Sequence, residues 1–122
     1  MQKGEKLWFI PDGYIPPESK GDLISHESIC VLNCQERPAQ LFITIYFEDR
    51  DPLEKIRYEV PAKRTKHIRT SELEINGEKI PVAVPYAIEV ESDEPIIVQY
   101  SRLDSTQPEL ALMSTIGYPL KR

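Results

Sequence analysis

Proline occurs eleven times in this chain of 122 residues, at positions 11, 16, 17, 38, 52, 61, 81, 85, 95, 108 and 119. A proline ring removes a backbone donor and clashes with the preceding helical turn, so prolines spread this widely argue against long helices. The segments between them are short and rich in Ile, Val, Tyr, Phe and Thr, the residues that suit a pleated, half-buried surface. A chain punctuated in this way folds as many short strands joined by turns.

Residues 39–47 are the clearest of these strands. Leu41, Ile43, Ile45 and Phe47 share one face and are expected in the core, while Phe42, Thr44 and Tyr46 share the other. Phe42 and Tyr46 leave that second face partly apolar, which hints at cover by another subunit. Residues 6–10 read as a first strand stopped by Pro11 and the Asp12-Gly13 turn signal, followed by a loop over 13–22. A second strand spans 25–33. Residues 55–60 alternate Ile56, Tyr58 and Val60 against Arg57 and Glu59, as a half-solvated strand does. Residues 64–69 form a further extended segment, 71–73 a single helical turn, and Asn76-Gly77 a hairpin turn. Residues 82–84, 87–90, 96–101 and 112–118 supply the remaining strands, separated by Pro85, by 93–95 and by a loop over 104–108. Pro108 alternatively opens a short helix over 108–111, because proline suits the first helical position. About eight short strands at this spacing predict an all-β, antiparallel fold, a sandwich or jelly roll rather than an alternating α/β fold, and spacing alone does not separate a sandwich from a barrel.

Hydrophobic residues make up 40% of the chain and charged ones 29%, which fits one globular domain over residues 1–122 with a single core. No opening segment has signal-peptide character and no stretch approaches the roughly 20 apolar residues that span a bilayer. The expected compartment is therefore cytoplasmic. Cys30 and Cys34 would lie about 13 Å apart on one extended strand, so a disulfide between them requires an intervening turn. The formal net charge of −5 opposes nucleic-acid binding over the whole surface, because phosphate neutralisation needs clustered cations. One such cluster exists, in Lys63, Arg64, Lys66, His67 and Arg69, and an oligomer would repeat it.

Several residues carry candidate chemistry. On an extended strand Lys63, Thr65, His67 and Arg69 point one way and Arg64, Lys66 and Ile68 the other. This pattern suits either a solvated edge whose charges block pairing or an anion or polyol site with arginine donors. His26 and Glu27 are neighbours on a strand and so face opposite sides. Glu27 needs its own partner, with Arg64, Arg69 and Arg102 as candidates. His26, Cys30 and Cys34 share strand parity but are strung out along it, which disfavours a zinc site. Arg102 and Asp104 enter a loop with Ser105 and Gln107, where they either contact a ligand or build the turn through local hydrogen bonds. Ser105, Ser114, His26, His67 and Asp104 are the raw materials of a hydrolase, yet no Gly-x-Ser-x-Gly elbow or phosphate-cradling glycine loop accompanies them. Trp8, Tyr14 and Tyr118 can stack on a sugar ring or simply fill the core.

Taken in order, residues 13–17 (GYIPP), 24–33 (ISHESICVLN), 43–46 (ITIY), 60–69 (VPAKRTKHIR), 96–99, 102–105 (RLDS), Gln107 and 112–118 resemble the sensory rhodopsin transducer family over nearly the whole chain. The resemblance implies a β-sandwich assembled as a homotetramer, in a superfamily proposed to bind small, sugar-like ligands, with no established chemistry. The resulting expectation is a non-enzymatic signalling or small-molecule-binding module without a cofactor or metal. Its ligand contacts would be His26, Glu27, Arg64, His67, Arg69, Arg102 and Asp104. A membrane photoreceptor is a partner only where one is encoded. The alternative from another class is a DNA-binding regulator that uses the basic strand 63–69 in an oligomer.

Overall fold

One strand of 20 residues, β8 (Pro85–Asp104), organises the protein. The computed structural model describes residues 2–17, 25–104 and 111–121. Along the chain come β1 (Glu5–Tyr14), β2 (His26–Asn33), β3 (Ala39–Phe47), β4 (Leu53–Val60), β5 (Arg64–Arg69) and a 3₁₀ turn (Thr70–Glu72). A small hairpin of β6 (Glu74–Ile75) and β7 (Glu78–Lys79) precedes β8, and β9 (Ala111–Ile116) and β10 (Tyr118–Pro119) follow it. The first half of β8 pairs with β1 and β3 and the second half with β2 and β9, always antiparallel. With β10 added to β1, β4 to β3 and β5 to β2, the fold is a β-sandwich. Its sheets are β10-β1-β8-β3-β4 and β9-β8-β2-β5, with β8 common to both.

The sequence reading divides β8 into separate strands at 93–95, and the structure corrects this. On either side of the crossing the even positions face the core: Tyr86, Ile88, Val90, Ser92, Ile96, Val98 and Tyr100 are buried, while Glu94 between them is partly exposed and pairs with Arg37. Pro95 falls where the strand changes sheets, after pairing with β3 ends at Ser92 and before pairing with β2 begins at Ile97, so its missing N–H costs little. Trp8 braces the crossing, its indole Nε1 donating to the carbonyls of Ile96 at 3.0 Å and Glu5 at 2.9 Å. Gly4, at φ +103°, lies so close that a Cβ would stand 2.3 Å from the Ile96 oxygen.

Three other expectations also change. β1 does not stop at Pro11 but continues to Tyr14, because a register shift between Ile10 and Gly13 makes a bulge in which a proline is tolerated. Residues 82–84 form a turn instead of a strand, with Ala83 at φ 61° and its N–H bonded to Ile15 at 2.8 Å. The strand expected over 112–118 is split at the buried Gly117 into β9 on one sheet and β10 on the other. The alternative helix over 108–111 lies outside the described residues except for Ala111, which opens β9.

Elsewhere the alternation is legible. Leu41, Ile43 and Ile45 are fully buried, Phe47 packs against the core, and Tyr46 on the opposite face is exposed. Asn76 and Gly77, at φ 53° and 81°, form the left-handed turn of the β6–β7 hairpin. At the other end of β2 from Glu27, the buried Asn33 ties the β2–β3 loop to the β4–β5 connection. Its Nδ2 donates to Arg37 O at 2.8 Å, Val60 O at 3.1 Å and Pro61 O at 3.2 Å, and its Oδ1 accepts from Gln35 N at 2.9 Å. Replacing Asn33 by Leu leaves buried carbonyls unpaired, so we expect a loss of about 1–3 kcal/mol. It should be read as a lower urea midpoint at unchanged slope.

Candidate functional site at Glu27 and Arg102

Glu27 occupies the inward parity of β2 with Ile29, Val31 and Asn33 and is only 1% exposed. A carboxylate in a hydrocarbon interior is tolerated only with matched donors, and here they come from both sheets. The Tyr14 N–H at the end of β1 donates to both oxygens at 2.9 Å. The Tyr86 hydroxyl, from the first half of β8, makes a short hydrogen bond to Oε1. Arg102, from the second half and directly opposite Glu27 in register, donates from Nε to Oε2 at 2.6 Å. Thr70, in the 3₁₀ turn, bonds the Tyr86 hydroxyl at 2.8 Å and reaches the Glu27 carbonyl at 3.4 Å. Gly13 lies flat on the Tyr86 ring, where a Cβ would come within 2.6 Å of Cζ, so any larger residue would push Tyr86 off the carboxylate.

Arg102 is the exit from this network. Its Nε is shared between Glu27 and the Tyr100 hydroxyl, the latter at 3.0 Å, and its guanidinium lies 5.8 Å from the Tyr100 ring centre. Its Nη2 is buried and has no hydrogen-bond partner among the described residues. Burial works against the Arg102 charge, but the Glu27 carboxylate and Tyr100 outweigh it and hold the guanidinium above its ordinary range. For Tyr86, burial and then the Glu27 charge and hydrogen bond push the hydroxyl far above the usual tyrosine range, against a smaller pull from Thr70. Burial and Glu27 raise Tyr100 in the same way, with Arg102 opposing.

Of the seven residues singled out in the sequence, the fold brings Glu27 and Arg102 together, and of the three candidate arginines Arg102 is the one that pairs. His26 lies on the opposite face of β2, across from Leu103. Arg64, His67 and Arg69 are exposed along β5, across from Asn33, Cys30 and Ser28 respectively. Arg64 donates to the carbonyl of Lys63, and Lys63 pairs with Glu36 at 2.9 Å. His67 borders a shallow groove with Arg57, Tyr58, Glu72 and Glu74. Asp104 ends β8, and its side chain, like Ser105 and Gln107, lies outside the described residues. Ser114 faces Ser101 on β8, and Cys30 and Cys34 are free thiols. Trp8 is buried, whereas Tyr14 and Tyr118 are exposed. Sequence reasoning missed Tyr86, Tyr100 and Thr70. The signal was present in the inward parity that Tyr86 and Tyr100 share with the core residues of β8, because a buried tyrosine hydroxyl requires a partner. A separate cleft of about 450 Å³, between the β3–β4 loop and the β6–β7 hairpin, contains none of the seven.

A β-sandwich whose halves share one strand and close on a buried Glu–Arg pair defines the class of protein. Residues 3–119 match the family described as Anabaena sensory rhodopsin transducer, and the chain belongs to that family. Among solved structures it is similar to the one titled "Crystal Structure of Thermotoga maritima 1070", at 39% identity and a TM-score of 0.88, covering 98% of each chain. It is also similar to the Anabaena sensory rhodopsin transducer itself, at 41% identity and a TM-score of 0.76, covering 88% of this chain and 96% of that one. No curated protein matches it. The protein is thus a module of the sensory rhodopsin transducer type.

Two outcomes follow from the site. The Glu27 side chain is 0% exposed and that of Arg102 24%, so Arg102→Met strands a buried carboxylate and should cost about 3–5 kcal/mol in chemical denaturation. Tyr86 and Tyr100 are raised in the folded state, so the stability they contribute is complete below the unfolded tyrosine pKa of about 10. It falls as the pH rises beyond that, because the unfolded chain releases those protons first. Absorbance titration of the folded protein should therefore miss two of its six tyrosines until the fold is lost, and Tyr86→Phe with Tyr100→Phe should abolish the late phase.

Proposed function

We propose that the protein is a non-enzymatic cytoplasmic signalling module, working as a homo-oligomer, that takes a small polar, sugar-like ligand at Arg102. The observation that carries this reading is the buried Nη2 of Arg102, a charged donor without a partner among the described residues, beside a fully engaged Glu27. Such a group costs about 1–3 kcal/mol or more when unpaired, and a hydroxyl or carboxylate oxygen of a ligand removes that cost. Binding there acts on a network that touches both halves of β8, β1, β2 and the 3₁₀ turn, so occupancy is felt by both sheets. Docking on a membrane photoreceptor, which the name of the Anabaena relative suggests, belongs to this reading only where such a receptor is encoded.

The DNA-binding alternative draws support from β5, where Arg64, Lys66, His67 and Arg69 are all exposed. The Lys63–Glu36 pair and the net charge of −5 weigh against it. It requires an affinity that falls steeply with salt.

The experiment is a thermal-shift screen against sugars, sugar phosphates and organic acids with wild type and Arg102→Lys, which keeps the charge but loses the planar fork. A ligand at a hundredfold excess over its Kd stabilises by about 2.7 kcal/mol, several degrees of melting temperature. We expect a dose-dependent rise in wild type that is lost in Arg102→Lys. A flat screen, or a rise that survives the substitution, overturns the assignment.

A further inference from the structure

The three aromatic residues of β3 differ in what covers their rings. The Arg57 guanidinium lies 5.7 Å from the Phe42 ring centre and that of Arg50 5.4 Å from the Phe47 ring centre, so each phenylalanine already holds a cation of the protein's own. Tyr46, on the outer face of the sheet, is 42% exposed and has no such cover among the described residues. Its hydroxyl donates to Glu89 Oε1 at 2.7 Å. That hydrogen bond, then burial and the charges of Glu89 and Glu54, raise the hydroxyl above the ordinary tyrosine range. The phenol therefore stays neutral and oriented, and its ring sits in a negative field that favours a cation against it.

Tyr46 also lines a hollow of about 300 Å³ at the start of β8. Pro11, Pro85 and Ala87 add apolar surface, and the charged residues that line it, among those described, are Asp12 and Glu48. Arg50 lines the neighbouring cleft and not this hollow. Strand pairing produces the arrangement. β1 and β3 flank β8 on its two sides, with Gly13 and Phe47 both opposite Tyr86. Asp12, in the β1 bulge, and Glu48, just past the end of β3, thus stand on either side of β8, two strand spacings or about 9–10 Å apart at the backbone. Pro85 and Ala87 lie between them as an apolar floor.

We propose that this hollow binds a linear alkyl diamine, one ammonium at Asp12 and the other at Glu48, with the methylene chain across Pro85 and Ala87 against the Tyr46 ring. Two carboxylates held apart by an apolar floor match two positive centres joined by a hydrocarbon link. A hydrated metal ion has the charge without the link, and a simple monoamine reaches one carboxylate only. Each ammonium offers three donors, enough to satisfy a carboxylate and keep contact with water at the rim. The hollow lies on the other side of its sheet from the buried Glu27 and takes the opposite charge from a ligand of Arg102. The inference therefore goes beyond the proposed function and stands or falls separately from it.

The test is isothermal titration of the full chain with putrescine at low ionic strength, where exposed charges are least screened. Wild type is compared with Tyr46→Leu, Tyr46→Phe and Asp12→Asn/Glu48→Gln, whose altered side chains are already exposed, with far-UV circular dichroism as the folding control. We expect the wild type to take up one putrescine per subunit and Tyr46→Phe, which keeps the ring, to retain it. Tyr46→Leu should weaken binding roughly three- to thirtyfold, and the double carboxamide variant should lose it. Equimolar Mg²⁺, equal in charge but without a hydrocarbon body, should leave the putrescine bound. No uptake by the wild type overturns the site. An affinity indifferent to Tyr46→Leu, or displacement by Mg²⁺, overturns it equally, because either outcome reduces the hollow to an acidic patch.

Discussion

Much of this structure depends on making one buried carboxylate tolerable. Taking an ion from water into a protein interior costs several kcal/mol even after relaxation, and Glu27 meets that cost with donors drawn from four separate places: the end of β1, both halves of β8 and, through Tyr86, the 3₁₀ turn. None of these groups can move without leaving charge or a hydroxyl unpaired. The carboxylate thus acts as a clamp between sheets that otherwise meet through non-directional apolar contacts. Gly13 belongs to the same constraint, since the close approach of β1 to the Tyr86 ring is what lets the Tyr14 N–H reach the carboxylate.

The shared strand gives the clamp its reach. Because β8 contributes Tyr86 to one sheet and Arg102 to the other, the Arg102 guanidinium is linked through Glu27 by two hydrogen bonds to both layers. That is a fitting arrangement for a module of the sensory rhodopsin transducer type. Met113 lies directly across from Arg102 on β9.

The cations of β5 have a different character. They are exposed, they lie across from residues spread along β2, and their strand is an outer edge. Their exposure and their placement on both faces suit a charged edge that repels an unwanted strand, one of the two readings that the sequence pattern offered.

Strand parity was determined by the sequence, and parity was enough to place Leu41, Ile43 and Ile45 in the core and to set His26 and Glu27 on opposite faces, while turn chemistry marked Asn76-Gly77 as a tight turn. The order of family-like segments along the chain was equally legible, because it is a property of the sequence itself. Breaks were not. Pro11 and Pro95 look like strand stops in one dimension, and only the pairing partners show that one sits in a bulge and the other in a gap between two ladders. The choice of Arg102 over Arg64 or Arg69 as the partner of Glu27 was likewise made by tertiary structure. The two residues are 75 apart in the chain, and a contact at that distance is set by the register in which β2 meets β8, a quantity that local propensity does not contain.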